Sequence, residues 1–181
     1  MKTRKLALCA LFIALAAGLS ALETLLPPIC PIAGVRIGLG NTVTLFVLYA
    51  GGMWRGRDAL CIAVLRCFAA ALITGAVMSA VYGLAGGLFA FGGMMLARGF
   101  FPRENGKYSL TYMPFTSAAG AVCHIAGQLM TAVIFYGSLS VLAYAPLLLA
   151  SAIIGGCFTG LCAQLLLKKL PARVLKGIRG A

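Results

Sequence analysis

Long apolar runs, separated by short segments rich in polar residues, glycine or proline, divide this chain into six. They fall at about 6–26, 40–53, 59–78, 79–97, 112–137 and 145–167, and most approach the ~20 residues an α-helix needs to cross a bilayer. None alternates with the two-residue period of a barrel strand, so each run predicts a helix. The second is short unless it begins near Ile37, and the third and fourth meet around Gly75–Ser79, which requires a tight turn. The loops Trp54–Asp58 and Arg98–Ser109 are brief, and no linker or low-complexity tract interrupts residues 1–181. The pattern predicts a single-domain, all-α integral membrane protein, a compact bundle of six transmembrane helices.

Composition removes the soluble alternatives. Apolar residues make up 62% of the 181 and charged ones 10%, with a mean hydropathy of +1.03. A soluble domain of this size would need far more charge to cover its surface. The acids are three: Glu23, Asp58 and Glu104. Seven cysteines include no C-x-x-C pair and mostly lie inside the apolar runs, where they read as small fillers. No metal or cofactor site is expected.

Charge then sets orientation. With both termini cytoplasmic, Lys2, Arg4, Lys5, Arg55, Arg57, Arg98, Arg103, Lys107 and the five basic residues from Lys168 to Arg179 fall inside. That is thirteen of fifteen, as the positive-inside rule asks of a multi-pass plasma-membrane protein. The exceptions are Arg36, in the first outer loop, and Arg66, inside the third run. The net charge of +12 therefore reports topology and contact with anionic lipid, not nucleic acid, which would call for aromatics interleaved with a basic face. The first run has the basic start of a signal peptide, but it is long and no small-x-small cleavage site follows it. It places Ala10, Ala14 and Gly18 on one helix face, a spacing that lets backbones approach. The stripe serves either to dock a partner helix or to pack within the bundle.

Polar residues gather in "PPICPIAGVRIGLGN", residues 27–41. Its prolines end the first helix, and its glycines allow tight turns or a close approach to a ligand. Asn41 stands at the cap of the second helix, with Thr44 on its first turn. The free amides of that helix start, its dipole and Arg36 form an anion-receptive corner, or else Arg36 meets lipid phosphate. Arg66 lies eight residues beyond Asp58, about 12 Å into the membrane, and should face the interior beside polar neighbours such as Gln128. His124 and Gln128 share a helix face. Glu23 is the acid on the outer side, a possible partner for Arg36. The candidate substrate-binding set is thus Glu23, Arg36, Asn41, Thr44, Arg66, His124 and Gln128.

"AGVRIGLGNTVTLFVLY" (33–49), "VLRCFAAALITG" (64–75), "YGLAGGLFAFGGMMLAR" (82–98) and "HIAGQL" (124–129) together resemble the Gx transporter family. Many of its members are named heptaprenyl diphosphate synthase component I. The resemblance runs from the first apolar run to the last, with order and spacing kept. It implies kinship with the substrate-binding S components of energy-coupling factor transporters. Those are six-helix membrane proteins with both termini inside, which bind substrate near the outer face and dock an energising module through small residues of the first helix. Two positions depart from the family pattern. Gly40 replaces the usual alanine in Gly-Leu-Ala-Asn, and Ile125 replaces the asparagine that usually follows His124.

Prenyl transfer needs metal ions held by clustered carboxylates, and three scattered acids do not supply them, so this chain is not expected to be an enzyme on its own. Two functions remain. One is a membrane substrate-capture subunit for a small polar or anionic nutrient, driven by partner subunits, a membrane protein and an ATPase, since the chain has no phosphate-binding G-x-x-x-x-G-K-[ST] loop. The other is a non-catalytic accessory subunit of an isoprenoid-synthesising complex, binding a soluble prenyl synthase through its basic tail.

Overall fold

The computed structural model describes residues 2–23, 38–75, 77–104 and 107–180. Seven α-helices occur among them: α1 (Lys2–Glu23), α2 (Asn41–Ala50), α3 (Gly56–Thr74), α4 (Val77–Phe100), α5 (Met113–Tyr136), α6 (Ala145–Lys169) and α7 (Ala172–Arg179). After α4, Arg103–Glu104 (β1) pairs antiparallel with Lys107–Tyr108 (β2).

Local chemistry sets the ends of these helices. The Asp58 carboxylate accepts the Arg55 N–H at 2.8 Å and starts α3. Gly75 ends α3 in the left-handed region, at φ +65°. Pro114 and Pro146 stand in the first turns of α5 and α6, where a missing N–H costs nothing. Leu170, before Pro171, is extended and closes α6.

Among the described residues, four segments are long and apolar enough to cross a membrane: Thr3–Glu23, Ala80–Phe100, Leu110–Tyr136 and Leu139–Lys169. They match the first, fourth, fifth and sixth expected spans. The second and third fall short of that description. α2 has ten residues, about 15 Å of helix against a hydrocarbon core of ~30 Å. α3 has 19 residues but carries Arg57, Asp58 and Arg66. α2 packs against α1, α3, α4, α5 and α6, and all of it except Thr42 is buried. It is an enclosed central helix.

The distribution of polarity is inverted relative to a soluble protein. Leu72 and Phe100 are each 86% exposed, and Leu6, Ile134 and Ile154 also face outward, whereas Glu23, Asn41, Arg66, His124 and Gln128 are buried. Hydrocarbon is the solvent that such a surface suits. Between helices, small residues allow close contact: a Cβ at Gly156 would lie 2.7 Å from the Ala118 Cα, and one at Gly160 2.6 Å from the Pro114 Cα. This small-xxx-small seam joins α6 to α5.

One end of the bundle gathers basic residues. Lys5 pairs with Asp58 at 2.7 Å. Arg179 donates to the Ala50 carbonyl at 2.6 Å, and the Trp54 indole donates to the Ile178 carbonyl at 2.8 Å. These contacts bring the start of α1, the end of α2, the start of α3 and α7 to the same end.

Candidate functional site

Four helices deliver polar side chains to the region where α2 begins. Glu23 closes α1, and its carboxylate accepts the N–H groups of Gly38 at 2.7 Å and Leu39 at 3.0 Å. The approach to a helix N-terminus favours an anion, and here the chain's own acid fills that role. The cap position belongs to Gly40, not to Asn41, which is the first helical residue and caps nothing. Its amide is drawn inward instead. Oδ1 accepts from Arg66 Nη2, and Nδ2 faces His124 Nδ1 at 3.2 Å.

Arg66 rises from the middle of α3 and is 3% exposed. Nη1 donates to Ser20 Oγ at 3.0 Å, while Nε has no hydrogen-bond partner among the described residues. Both of its partners are neutral. The ion pair present among the described residues is Lys5–Asp58, so no carboxylate of those residues lies within ion-pair distance of Arg66. A buried guanidinium in that state carries a desolvation cost of several kcal/mol. Gln128, the neighbour expected for Arg66, faces His124 instead, with Nε2 to Nε2 at 3.0 Å.

The hydrogen-bond order assigns the histidine tautomer. Arg66 only donates, so Asn41 must present Oδ1 to it and its NH2 to His124. Nδ1 then accepts, the ring proton sits on Nε2, and that proton needs an acceptor. The Gln128 amide supplies one when it turns Oε1 toward the ring, an orientation inferred from the network. A second ring proton would face the Asn41 NH2. The order Arg66–Asn41–His124 therefore holds a neutral imidazole that accepts at Nδ1, with the Gln128 amide and the Gly86 backbone beside the ring.

Ser20, Glu23, Gly38, Arg66, His124 and Gln128 line a cavity of about 30 Å³, room for a water molecule or a single small group. Two glycines make this arrangement possible. A Cβ at Gly86 would lie 2.7 Å from the His124 ring. A Cβ at Gly40 would lie 2.9 Å from the Ala16 carbonyl and would overlap the Arg66 guanidinium and the Ser20 hydroxyl. Gly40 is thus the departure from the resembled pattern that gives Arg66 its place. The other departure, Ile125, is buried beside Tyr82, Ala121 and Leu129, where it packs rather than binds.

Of the residues singled out from the sequence, Glu23, Asn41, Arg66, His124 and Gln128 converge. Thr44 does not join them: it is buried, its hydroxyl has no partner among the described residues, and it does not line the cavity. Arg36 lies outside the described residues, as does Cys30. Ala10 and Ala14 are exposed on α1, and a Cβ at Gly18 would meet nothing within 4 Å. Sequence reasoning missed Ser20 and Gly86. Ser20 had a signal, standing one helical turn before Glu23 on the same face of α1. Gly86 had none beyond the Gly-Gly pair that contains it.

Residues 12–166 match the family described as heptaprenyl diphosphate synthase component I. Comparisons with the curated proteins and with the solved structures find no match.

Proposed function

Because the chain belongs to the heptaprenyl diphosphate synthase component I family, whose description implies a partner subunit, we propose that it is a non-catalytic, multi-pass subunit of the plasma membrane. In this reading it captures a small anionic solute and passes it to partner subunits that supply the energy. Six membrane segments, with α2 and α3 completing the set and both termini cytoplasmic, belong to the same reading. The gathering of Lys5, Arg179 and the α7 residues at one end supports that orientation.

Arg66 carries the proposal. A cation buried to this degree, held by neutral groups, with an unpartnered Nε and a cavity beside it, is the arrangement an incoming anion would complete. Glu23 and the His124–Gln128 pair would then orient the uncharged part of the solute. The chain's acids favour a non-catalytic role. Glu23 is engaged with backbone amides, Asp58 with Lys5 and Glu104 with Ser109, and no two of them share a site where hard cations would find several oxygens.

A second reading keeps the family's description literal: a membrane partner for a soluble prenyl synthase, docked through the exposed Arg173 and Lys176 of α7. Mass spectrometry of small molecules co-purified with the detergent-solubilised protein separates the two. The capture reading expects an anion that is retained by the wild type and lost from Arg66→Gln. Retention of the same anion by both would remove Arg66 from the site.

A further inference from the structure

The cavity beside Arg66 has walls of opposite demand. Arg66 can only donate hydrogen bonds, and its Nε has no partner among the described residues. Glu23 lines the same cavity and is buried. Its carboxylate accepts from the Gly38 and Leu39 amides at 2.7 and 3.0 Å, and in its ionised form it has nothing to donate. The two side chains share one space without being joined directly, since the ion pair among the described residues is Lys5–Asp58. An anion that only accepts would satisfy Arg66 and bring its charge against Glu23, where the low dielectric of the interior strengthens the repulsion. An anion that carries its own O–H meets both walls. The cavity also limits size: about 30 Å³ is a small fraction of the ~300–1,000 Å³ that encloses a drug-sized ligand.

We infer that the ligand is a small oxyanion that keeps an O–H, of the size of bicarbonate, with Arg66 binding its charge and Glu23 selecting its hydroxyl. The inference rests on the capture reading above and names its substrate class. The O–H is the uncharged part of the solute that Glu23 orients. A site built to hydrogen-bond an O–H rejects the isostere that lacks one, because the buried acceptor is left facing a group that offers it nothing. A water molecule would make the same two hydrogen bonds, but it brings no negative charge to a guanidinium whose direct partners are neutral.

The test compares bicarbonate, nitrate and acetate, planar monoanions with the same number of heavy atoms that carry an O–H, a bare oxygen and a methyl group at one corner. Each is titrated by calorimetry, in sealed cells and mildly alkaline buffer, against the full chain in nanodiscs of dioleoyl phosphatidylcholine. Bicarbonate should bind the wild type more tightly than nitrate or acetate by roughly tenfold or more, the scale of a hydrogen bond to a charged group. Glu23→Gln removes the charge and offers an N–H, so it should abolish that preference. The comparison on the wild type stands if this variant does not fold. Nitrate or acetate held as tightly as bicarbonate by the wild type would overturn the selection of an O–H while sparing the capture reading. A preference unchanged in folded Glu23→Gln would overturn the role of Glu23. Binding of none of these probes, with a larger anion co-purified and lost from Arg66→Gln, would overturn the size assigned here and leave the capture reading standing. Absence of any anion from the wild type would overturn both.

Discussion

Two groups of buried or half-buried cations occupy different parts of this bundle and are built by different rules. At the basic end, Lys5 meets Asp58 at 2.7 Å. Arg98 donates to the Leu48 carbonyl at 2.7 Å and lies 4.0 Å from the centre of the Tyr108 ring, and Arg179 donates to the Ala50 carbonyl. Those carbonyls belong to the last turn of α2, where the helix dipole favours positive charge. Each cation there has a counter-charge or an oriented dipole, and Arg98 keeps both supports although its own Nε is unpaired. Arg66 has neither. Its partners are a hydroxyl and an amide carbonyl. Cations at the basic end are met directly by a carboxylate, a helix-end carbonyl or an aromatic ring, and the one whose direct partners are a hydroxyl and an amide stands beside a cavity.

Substitutions that separate binding from stability test this contrast. Arg66→Gln should have the largest effect, weakening anion binding by roughly ten- to a hundredfold, the worth of a charge-assisted hydrogen bond. The thermal midpoint without ligand should not fall, because a buried charge whose direct partners are neutral leaves the interior. Titration and thermal unfolding of the same sample check both halves. A lower midpoint with unchanged affinity would make Arg66 structural, like Arg179.

Gly40→Ala should follow, with a stability cost of about 1–3 kcal/mol from overpacking against Arg66, Ser20 and the Ala16 carbonyl. Affinity should fall with it, because the guanidinium has to move. If chemical denaturation shows no loss, the close packing around Arg66 is looser than the geometry implies.

Asp58→Ala, at the basic end, should cost about 0.5–2 kcal/mol through loss of the α3 cap and the Lys5 contact. Anion affinity should stay at the wild-type value. A change in affinity would show that the two regions are coupled and that the contrast between them is false.

The smallest effect is a pH dependence. Burial by itself would raise the Asp58 carboxyl, but hydrogen bonds from Lys5 and from the Arg55 backbone hold it below its ordinary value. A depressed carboxyl stabilises the fold above its unfolded value of about 4, and that contribution is lost as pH falls through the folded value. Thermal midpoints should therefore drop below about pH 4 in the wild type and drop less in Asp58→Asn. Parallel curves would remove Asp58 as the cause.

Much of the fold was legible because hydrocarbon selects for it residue by residue. Apolar length alone marked the long helices α1, α4, α5 and α6, and depth inside such a run was enough to turn Arg66 inward. α2 was harder to read. "NTVTLFVLY" reads as half of a span, and its enclosure by five other helices is a property of those helices, not of its own residues. At the site, His124 and Gln128 were legible as a pair because the i, i+4 spacing is local. The partnership of Arg66 with Ser20 and Asn41, 46 and 25 residues away in sequence, was not.

The sequence by itself determined that this chain belongs in a membrane, that its polar residues must turn inward, and which family it matches, since composition, run length and ordered motifs are one-dimensional quantities. Only the tertiary structure decided that Glu23 occupies the approach to α2, that Gly40 leaves room for a guanidinium, and that Arg66 finds neutral partners beside a cavity. Each of those facts depends on distances between helices, and side-chain spacing along the chain carries no measure of them.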